Sequence, residues 1–349
     1  MKPLRLAIAG AGLIGRAHAE RILALKARLG CELVGLADPS PAAAQLAQAT
    51  GVPLHATLAE LLSAARPDGV ILATPNALHV PGALECVAAG VAALVEKPVA
   101  DNLTDARRLI EVVEASGVPV LVGHHRRHSA VLEQSRAVIQ GGALGRLVAV
   151  MASATFYKPD DYFDAGPWRK VAGGGPILIN LIHEIDNLRT LVGEIVEVQA
   201  FASNATRGFE VEDTVAINLR FANGALGTFM LSDAAATPRS WEQTSGENKT
   251  YDHHGDQDCY VIAGTRGSLQ VPTMRQYGYA GAASWWQPLQ RTQHDLPDAD
   301  PLVRQLEHFA AVVRREAAPR VTVRDATRTL EVTLAVADAA RTGQRVALS

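Results

Sequence analysis

The chain has 349 residues, 48% of them hydrophobic and 20% charged, and its 33 basic and 36 acidic side chains leave a formal net charge of −3. That balance excludes a disordered or collagen-like chain and leaves no broad basic surface for nucleic acid or an anionic membrane. The length calls for two domains with separate cores. No apolar run reaches the roughly 18 residues that cross a bilayer.

Cys31, Cys86 and Cys259 are widely separated and show no CxxC spacing. They suggest neither a disulfide framework nor a cysteine-rich zinc site, and a reducing cytoplasm is expected. Lys2 and Arg5 ahead of an apolar stretch, with AHA at 17–19, resemble a secretion signal. The stretch is short and broken by glycines, which suits a strand and turn better.

In chain order, LRLAIA at 4–9 passes into GAGLIG, with Gly10, Gly12 and Gly15 in place, and ELVGLAD ends on Asp38. The first glycine permits a tight strand-to-helix turn, the second lets backbone N–H groups approach a pyrophosphate, and the third allows close helix–strand packing. Leu13 and Ile14 complete the turn and are expected to contact the cofactor, as are Glu96 and Lys97 further on. Asp38 stands about 20 residues further on, where a carboxylate accepts hydrogen bonds from ribose hydroxyls. Pro39 and Ser40 follow it rather than an arginine, so NAD is the expected cofactor and NADP the alternative.

The same rhythm continues with a helix near TLAELLSAA, a strand DGVILAT, a helix from His79 to Ala89, a strand AALVEK, a helix LTDARRLIEVVEA and a strand VPVLVG. Alternating strands and helices imply a doubly wound parallel sheet, with residues 1–122 as a dinucleotide-binding domain. Thr74, Pro75, Asn76 and His79 follow one strand and are expected to border the cofactor; an ordinary Pro-Asn turn is the alternative. Glu96-Lys97-Pro98 ends another strand at the ligand-binding edge of such sheets. Pro98 restricts the preceding backbone and can aim Lys97 inward, the alternative being a solvated lysine.

From Gly123 the pattern changes. A helix SAVLEQSRAVIQ precedes β-type runs at RLVAVMASATFY, EIVEVQAFAS, VEDTVAINLRF and GALGTFMLSD, and consecutive strands indicate a mainly antiparallel sheet. A helix spanning 177–191 starts after GGGP. Its Asn180, His183 and Asp186 recur at spacings of three on one surface, either as a site or as a core histidine satisfied by a carboxylate. Further helices are expected at 302–315 and 325–341, the last able to brace the first domain.

Residues 233–258 form a polar, weakly periodic segment of a length that is usually functional or mobile. His253, His254, Asp256, Asp258 and Cys259 within and beside it match no closed zinc pattern, and no metal is expected. Tyr157, Lys158, Trp168, Arg169, Trp241 and Glu242, with Glu247 and Asn248, mix apolar faces with hydroxyl-binding groups, as a sugar requires; interface or loop roles are the alternative. Arg126 and Arg127 could bind a carboxylate or tie the domain junction.

GAGLIG, ATPNALH at 73–79, EKP at 96–98, GHHRRH at 123–128 and the GGG-to-His stretch ending at His183 together resemble the glucose-fructose oxidoreductase and inositol dehydrogenase (Gfo/Idh/MocA) family over nearly the whole length. The resemblance implies an N-terminal Rossmann domain and a C-terminal α/β domain over 123–349 with a large open, mainly antiparallel sheet. That sheet often supports oligomers, here a homodimer or homotetramer. The resemblance further implies hydride exchange between NAD(P) and a secondary alcohol or ketone of a sugar or polyol, with Lys97 as active-site lysine and His183 as helix histidine. Inositol-dehydrogenase-like members often carry an acid four residues before that histidine, where this chain has Ile179, followed by Asn180. A dihydrodiol or other non-sugar dehydrogenase of the family, or a cofactor-binding regulator without catalysis, are the rival functions.

Overall fold

A computed structural model describes residues 2–348 and divides them into two compact units, one built from the chain up to His128 with Pro301–Leu330, the other from Ser129–Asp300 with the residues from Glu331 onward. The first unit contains β1 (Leu4–Ala9), α1 (Leu13–Leu29), β2 (Cys31–Ala37), α2 (Ala43–Thr50), β3 (Leu54–His55), α3 (Leu58–Ala65), β4 (Gly69–Leu72), α4 (His79–Ala88), β5 (Ala92–Val95), α5 (Leu103–Ser116) and β6 (Val120–Val122). Its six strands lie in the order β3-β2-β1-β4-β5-β6 with every pairing parallel. The order reverses between β1 and β4, which opens a crevice at the carboxyl ends of those strands.

The helices form for local reasons. Thr57 caps α3 by accepting from Glu60 N, and Asn102 caps α5 by accepting from Asp105 N. In α5, Ala106, Leu109 and Ile110 make the buried stripe expected from their spacing. Two elements absent from the sequence expectation, α2 and β3, are short: α2 buries only Ala43, Leu46 and Ala47, and β3 is a two-residue edge strand.

The second unit contains α6 (Ala130–Gln140), β7 (Leu147–Thr155), α7 (Asp160–Asp164), α8 (Ile182–Leu191), β8 (Ile195–Ser203), β9 (Thr214–Phe221), β10 (Leu226–Ser232), α9 (Trp241–Thr244), β11 (Tyr260–Gly264), β12 (Gly267–Val271), β13 (Arg275–Gly278) and β14 (Gln290–Gln293). The chain then contributes α10 (Pro301–Val313) to the first unit, runs through α11 (Val323–Thr342) and ends in β15 (Val346–Ala347). The nine-stranded sheet has the order β14-β13-β12-β11-β7-β10-β9-β8-β15, antiparallel except where β7 and β10 run parallel. One parallel pairing makes it mixed rather than purely antiparallel.

Strand alternation separates two faces of this sheet. Val150, Ala154, Val215, Ile217, Leu219, Phe229, Leu231 and Ile262 pack with Ile185 and Leu188 of α8 and Val336 of α11 in one apolar core. The opposite face carries exposed Met151, Phe201, Leu226 and Met230.

Candidate active site

In the first unit, the predicted cofactor residues gather at one edge, because β1, β2, β4 and β5 are in parallel register through Ala9, Ala37, Leu72 and Val95 and each predicted segment follows one of those ends. The glycines do three different things. Gly10 has φ +97°, and a Cβ there would lie 2.3 Å from the Ala73 carbonyl oxygen. A Cβ on Gly15 would lie 1.8 Å from the Gly10 carbonyl oxygen. Gly12 faces open space, with nothing within 4 Å of a Cβ built on it. Thus two glycines close the turn and the third leaves open space beside it.

That open turn suits a dinucleotide. Gly12 starts α1 without any side-chain cap, so the helix presents uncapped N–H groups to an anion. Leu13 is 90% exposed, an apolar side chain without protein cover at the mouth of the turn. Thr74 Oγ1 is buried with no hydrogen-bond partner among the described residues, the kind of orphan a ribose or carboxamide would satisfy. Asp38 accepts from Ala11 N at 2.7 Å and from Ser40 N at 2.8 Å. Partial burial works against its charge, but these bonds prevail and hold its carboxyl below the usual range. Pro75 and Asn76 are exposed beside Thr74.

Two expected cofactor contacts are corrected. His79 is buried, with Nδ1 2.6 Å from Pro98 O and Nε2 2.9 Å from Thr74 O. One ring N–H donates to one of these carbonyl oxygens, and the buried ring lies between the β4 and β5 ends instead of facing a ligand. Glu96 is also buried, accepts from His18 Nε2 at 2.8 Å and from Lys97 N at 3.3 Å, and supports the turn from beneath. Lys97 itself is half-buried at the strand end. His18 was missed, although it lies on the same buried stripe of α1 as Gly15, Ala19 and Ile22; a lone imidazole on such a stripe was the available signal. Arg127, left open between ligand and structural roles, pairs with Asp325 at 3.0 Å.

In the second unit, Gly174 permits a close approach: a Cβ there would lie 2.6 Å from Trp168 O and 2.7 Å from Arg169 Cα. The helix then opens with a wide, π-type turn over Ile177–Leu181 before α8, a feature frequent at functional sites. Asn180 Oδ1 accepts from Lys158 Nζ at 2.6 Å, and Lys158 also lies 3.6 Å from Asp233 Oδ2. Burial brings the Lys158 ammonium down to about 8 against the opposing pull of Asp233 and Glu242. Asp233 is shared with Arg207 Nε at 2.9 Å. His183 is buried one helical step from Asn180.

Around this group, Tyr157 is 54% and Trp168 53% exposed, while the Arg169 guanidinium stacks 3.9 Å from the Tyr162 ring centre and keeps a buried Nε with no partner among the described residues. Glu242 is half-buried. Trp241 corrects the expectation of a sugar platform: it is 3% exposed, its Nε1 donates to Glu247 at 2.8 Å and its ring lies beside Tyr260 in the core. Arg207, Asp233 and Tyr162 were not foreseen. In the polar segment, His253 faces Thr244 O and Asp258 pairs with Arg275 at 2.6 Å; no group of three metal-ligating side chains occurs among the described residues.

A parallel sheet that reverses order beside an uncapped glycine turn defines a dinucleotide-binding enzyme domain. Residues 4–124 match the oxidoreductase family with an NAD-binding Rossmann fold, and residues 132–270 match the GFO/IDH/MocA C-terminal domain. The chain belongs to the Gfo/Idh/MocA family and is an NAD-binding oxidoreductase. It is 29% identical to a 1,5-anhydro-D-fructose reductase of Ensifer adhaerens, over 95% of this chain and 96% of that protein. It is 26% identical to a D-apiose dehydrogenase of Paraburkholderia graminis, over 100% of this chain and 90% of that protein. Among solved structures, the WlbA dehydrogenase from Bordetella pertussis, crystallised with NADH and UDP-GlcNAcA, superposes with a TM-score of 0.79 at 26% identity over 99% of both chains.

Two alanine substitutions separate the glycine roles. Gly12→Ala is expected to leave the melting temperature unchanged while weakening NADH binding at least about tenfold, or 1.4 kcal/mol. Gly15→Ala forces the backbone apart and is expected to cost about 1–3 kcal/mol of stability. Thermal melts with NADH titrations check both, and equal melting losses for the two variants would contradict the division.

Proposed function

We propose that this chain is a dehydrogenase that moves a hydride between NAD and a secondary alcohol or ketone carbon of a sugar, polyol or sugar derivative. The observation that carries the proposal is the position of Lys97, half-buried at the β5 end on the same sheet edge as the open glycine turn and the orphaned Thr74 hydroxyl. When bound, NAD supplies the hydride acceptor. Gly12 and the N–H groups that open α1 would hold its pyrophosphate, and Asp38 its adenosine ribose.

The chain's own groups handle the proton and the charge. Lys97 as an ammonium stabilises the oxygen that becomes negative on the reacting carbon, or polarises a ketone in reverse. His183 takes the hydroxyl proton, since an imidazole titrates near working pH and a lysine must be desolvated to do so. Tyr157, Trp168, Arg169, Lys158 and Asn180 are assigned to substrate: the exposed rings offer faces for C–H groups, and the amide and cations fix hydroxyls. Arg169 Nε favours a second substrate class, sugars bearing a carboxylate, because a buried guanidinium N–H lacking a partner suits an anionic oxygen.

Lys97→Met and His183→Ala are each expected to lower kcat at least ~100-fold, measured at 340 nm after a screen of sugars, polyols, inositols, sugar acids and dihydrodiols; near-normal turnover of either variant defeats the assignment. Because Asp38 presents a carboxylate where a 2′-phosphate would sit, kcat/KM is expected to favour NAD over NADP by at least about tenfold, and the reverse ratio would overturn that preference. No helix among the described residues is long and apolar enough to cross a membrane, and we assign the enzyme to the cytoplasm. The exposed sheet face, with a groove of about 430 Å³ running past Met151, Leu226 and Thr228, is assigned to homodimer or homotetramer formation. Light scattering should return a multiple of 37.0 kDa, and Met151→Asp should reduce it; a wild-type monomer removes the assignment.

A further inference from the structure

The reading of Lys97 as a fixed ammonium leaves open what keeps it charged at a half-buried strand end, where desolvation favours the neutral amine. Beside it, on the preceding residue and α1, lies a pair the mechanism does not use. His18 is 2% and Glu96 6% exposed, and the imidazole Nε2 donates to Glu96 Oε1 at 2.8 Å. The other carboxylate oxygen turns back to the Lys97 backbone N–H at 3.3 Å. Gly123, at the end of the neighbouring strand, makes room for it: a Cβ there would lie 3.0 Å from both Glu96 Cα and Oε2. Three elements therefore converge on one carboxylate, each with a residue of the required size or donor.

We propose that the buried His18–Glu96 pair is the positioning device of Lys97, holding an anionic carboxylate beside the lysine so that its side chain stays an ammonium. This rests on the catalytic reading of Lys97 and adds the group that sustains it. A buried carboxylate without a donor takes up a proton; with one it remains charged. Burial pushes the Glu96 carboxyl up, but the hydrogen bond and charge of His18, followed by the charges of Lys97 and His125, hold it below the usual range. The titratable groups facing it are His18 from α1, Lys97 beside it, His125 from the turn after β6 and His79 from α4. The sign follows: removing the negative charge lowers the proton affinity of Lys97, so its free amine appears at lower pH.

The test needs no substrate. Trace acetylation of Lys97 across pH 7–11, read by mass spectrometry on the full-length protein, gives the midpoint at which its amine becomes reactive. Glu96→Gln and His18→Leu are expected to move that midpoint down by about one pH unit or more. His18→Gln keeps an N–H for Oε1 and is expected to restore the wild-type value. Unchanged midpoints in Glu96→Gln and His18→Leu, with only a lower melting temperature, would reduce the pair to packing and overturn the proposal. For variants too unstable to purify, carbon-13 observation of the wild-type Glu96 carboxyl decides: it should be ionised at pH 6, and a protonated carboxyl there overturns the proposal equally. Normal turnover of Lys97→Met would remove the catalytic reading of the lysine while leaving this charge coupling measurable.

Discussion

The first unit depends on the contact between the Gly10 carbonyl and Gly15, where a single added carbon would sit 1.8 Å from an oxygen. That approach lets α1 start immediately after β1, and the left-handed Gly10 folds its own Cα against the Ala73 backbone at the end of β4. Once the turn is closed, Ala11 N reaches Asp38 at 2.7 Å, which ties the β1 and β2 ends together. The same closure leaves Gly12 facing outward at a helix start with no side-chain cap. Ligand space and fold stability thus come from neighbouring residues with opposite requirements, one for contact and one for emptiness.

This is why the first unit was so readable in sequence. Glycine spacing, a carboxylate at the next strand end and a lysine before proline each report a backbone requirement that few other residues meet. Less readable was what side chains do once buried. His79 and Glu96 lie in motifs that suggest ligand contact, yet both turn inward, His79 onto two carbonyl oxygens and Glu96 onto His18. Neither orientation follows from spacing, because both depend on which strand ends the sheet order makes neighbours. Residues 18 and 96 meet only because α1 packs along the strands between them in sequence.

The second unit was readable where strands alternate and opaque where they do not. β9 and β10 show buried and exposed residues in turn, which marks them from sequence. β13 is half-buried throughout and β14 fully exposed, so these two give no alternating signal; β11 and β12 do bury alternate residues, Tyr260 and Ile262, Leu269 and Val271, but over only five residues each, and all four strands went unforeseen. Their pairing is set by the neighbour: β11 adds to β7 and the others follow outward as hairpins. Trp241 failed as a sugar platform for a related reason. An indole in a polar segment looks available in sequence, but its apolar ring enters the core beside Tyr260 while Glu247 satisfies its only donor.

The amide at Asn180 changes the charge balance of the second unit's polar group. A carboxylate at this place would give Lys158 a charged partner. Asn180 offers Lys158 an oxygen but no charge, so the lysine must share Asp233 with Arg207. Glu242 adds a second negative charge that acts on Lys158, and Asp160 a further one 3.8 Å from Arg207. Helical spacing then places the buried carboxylate of Asp186 three residues after His183, rather than an acid before it.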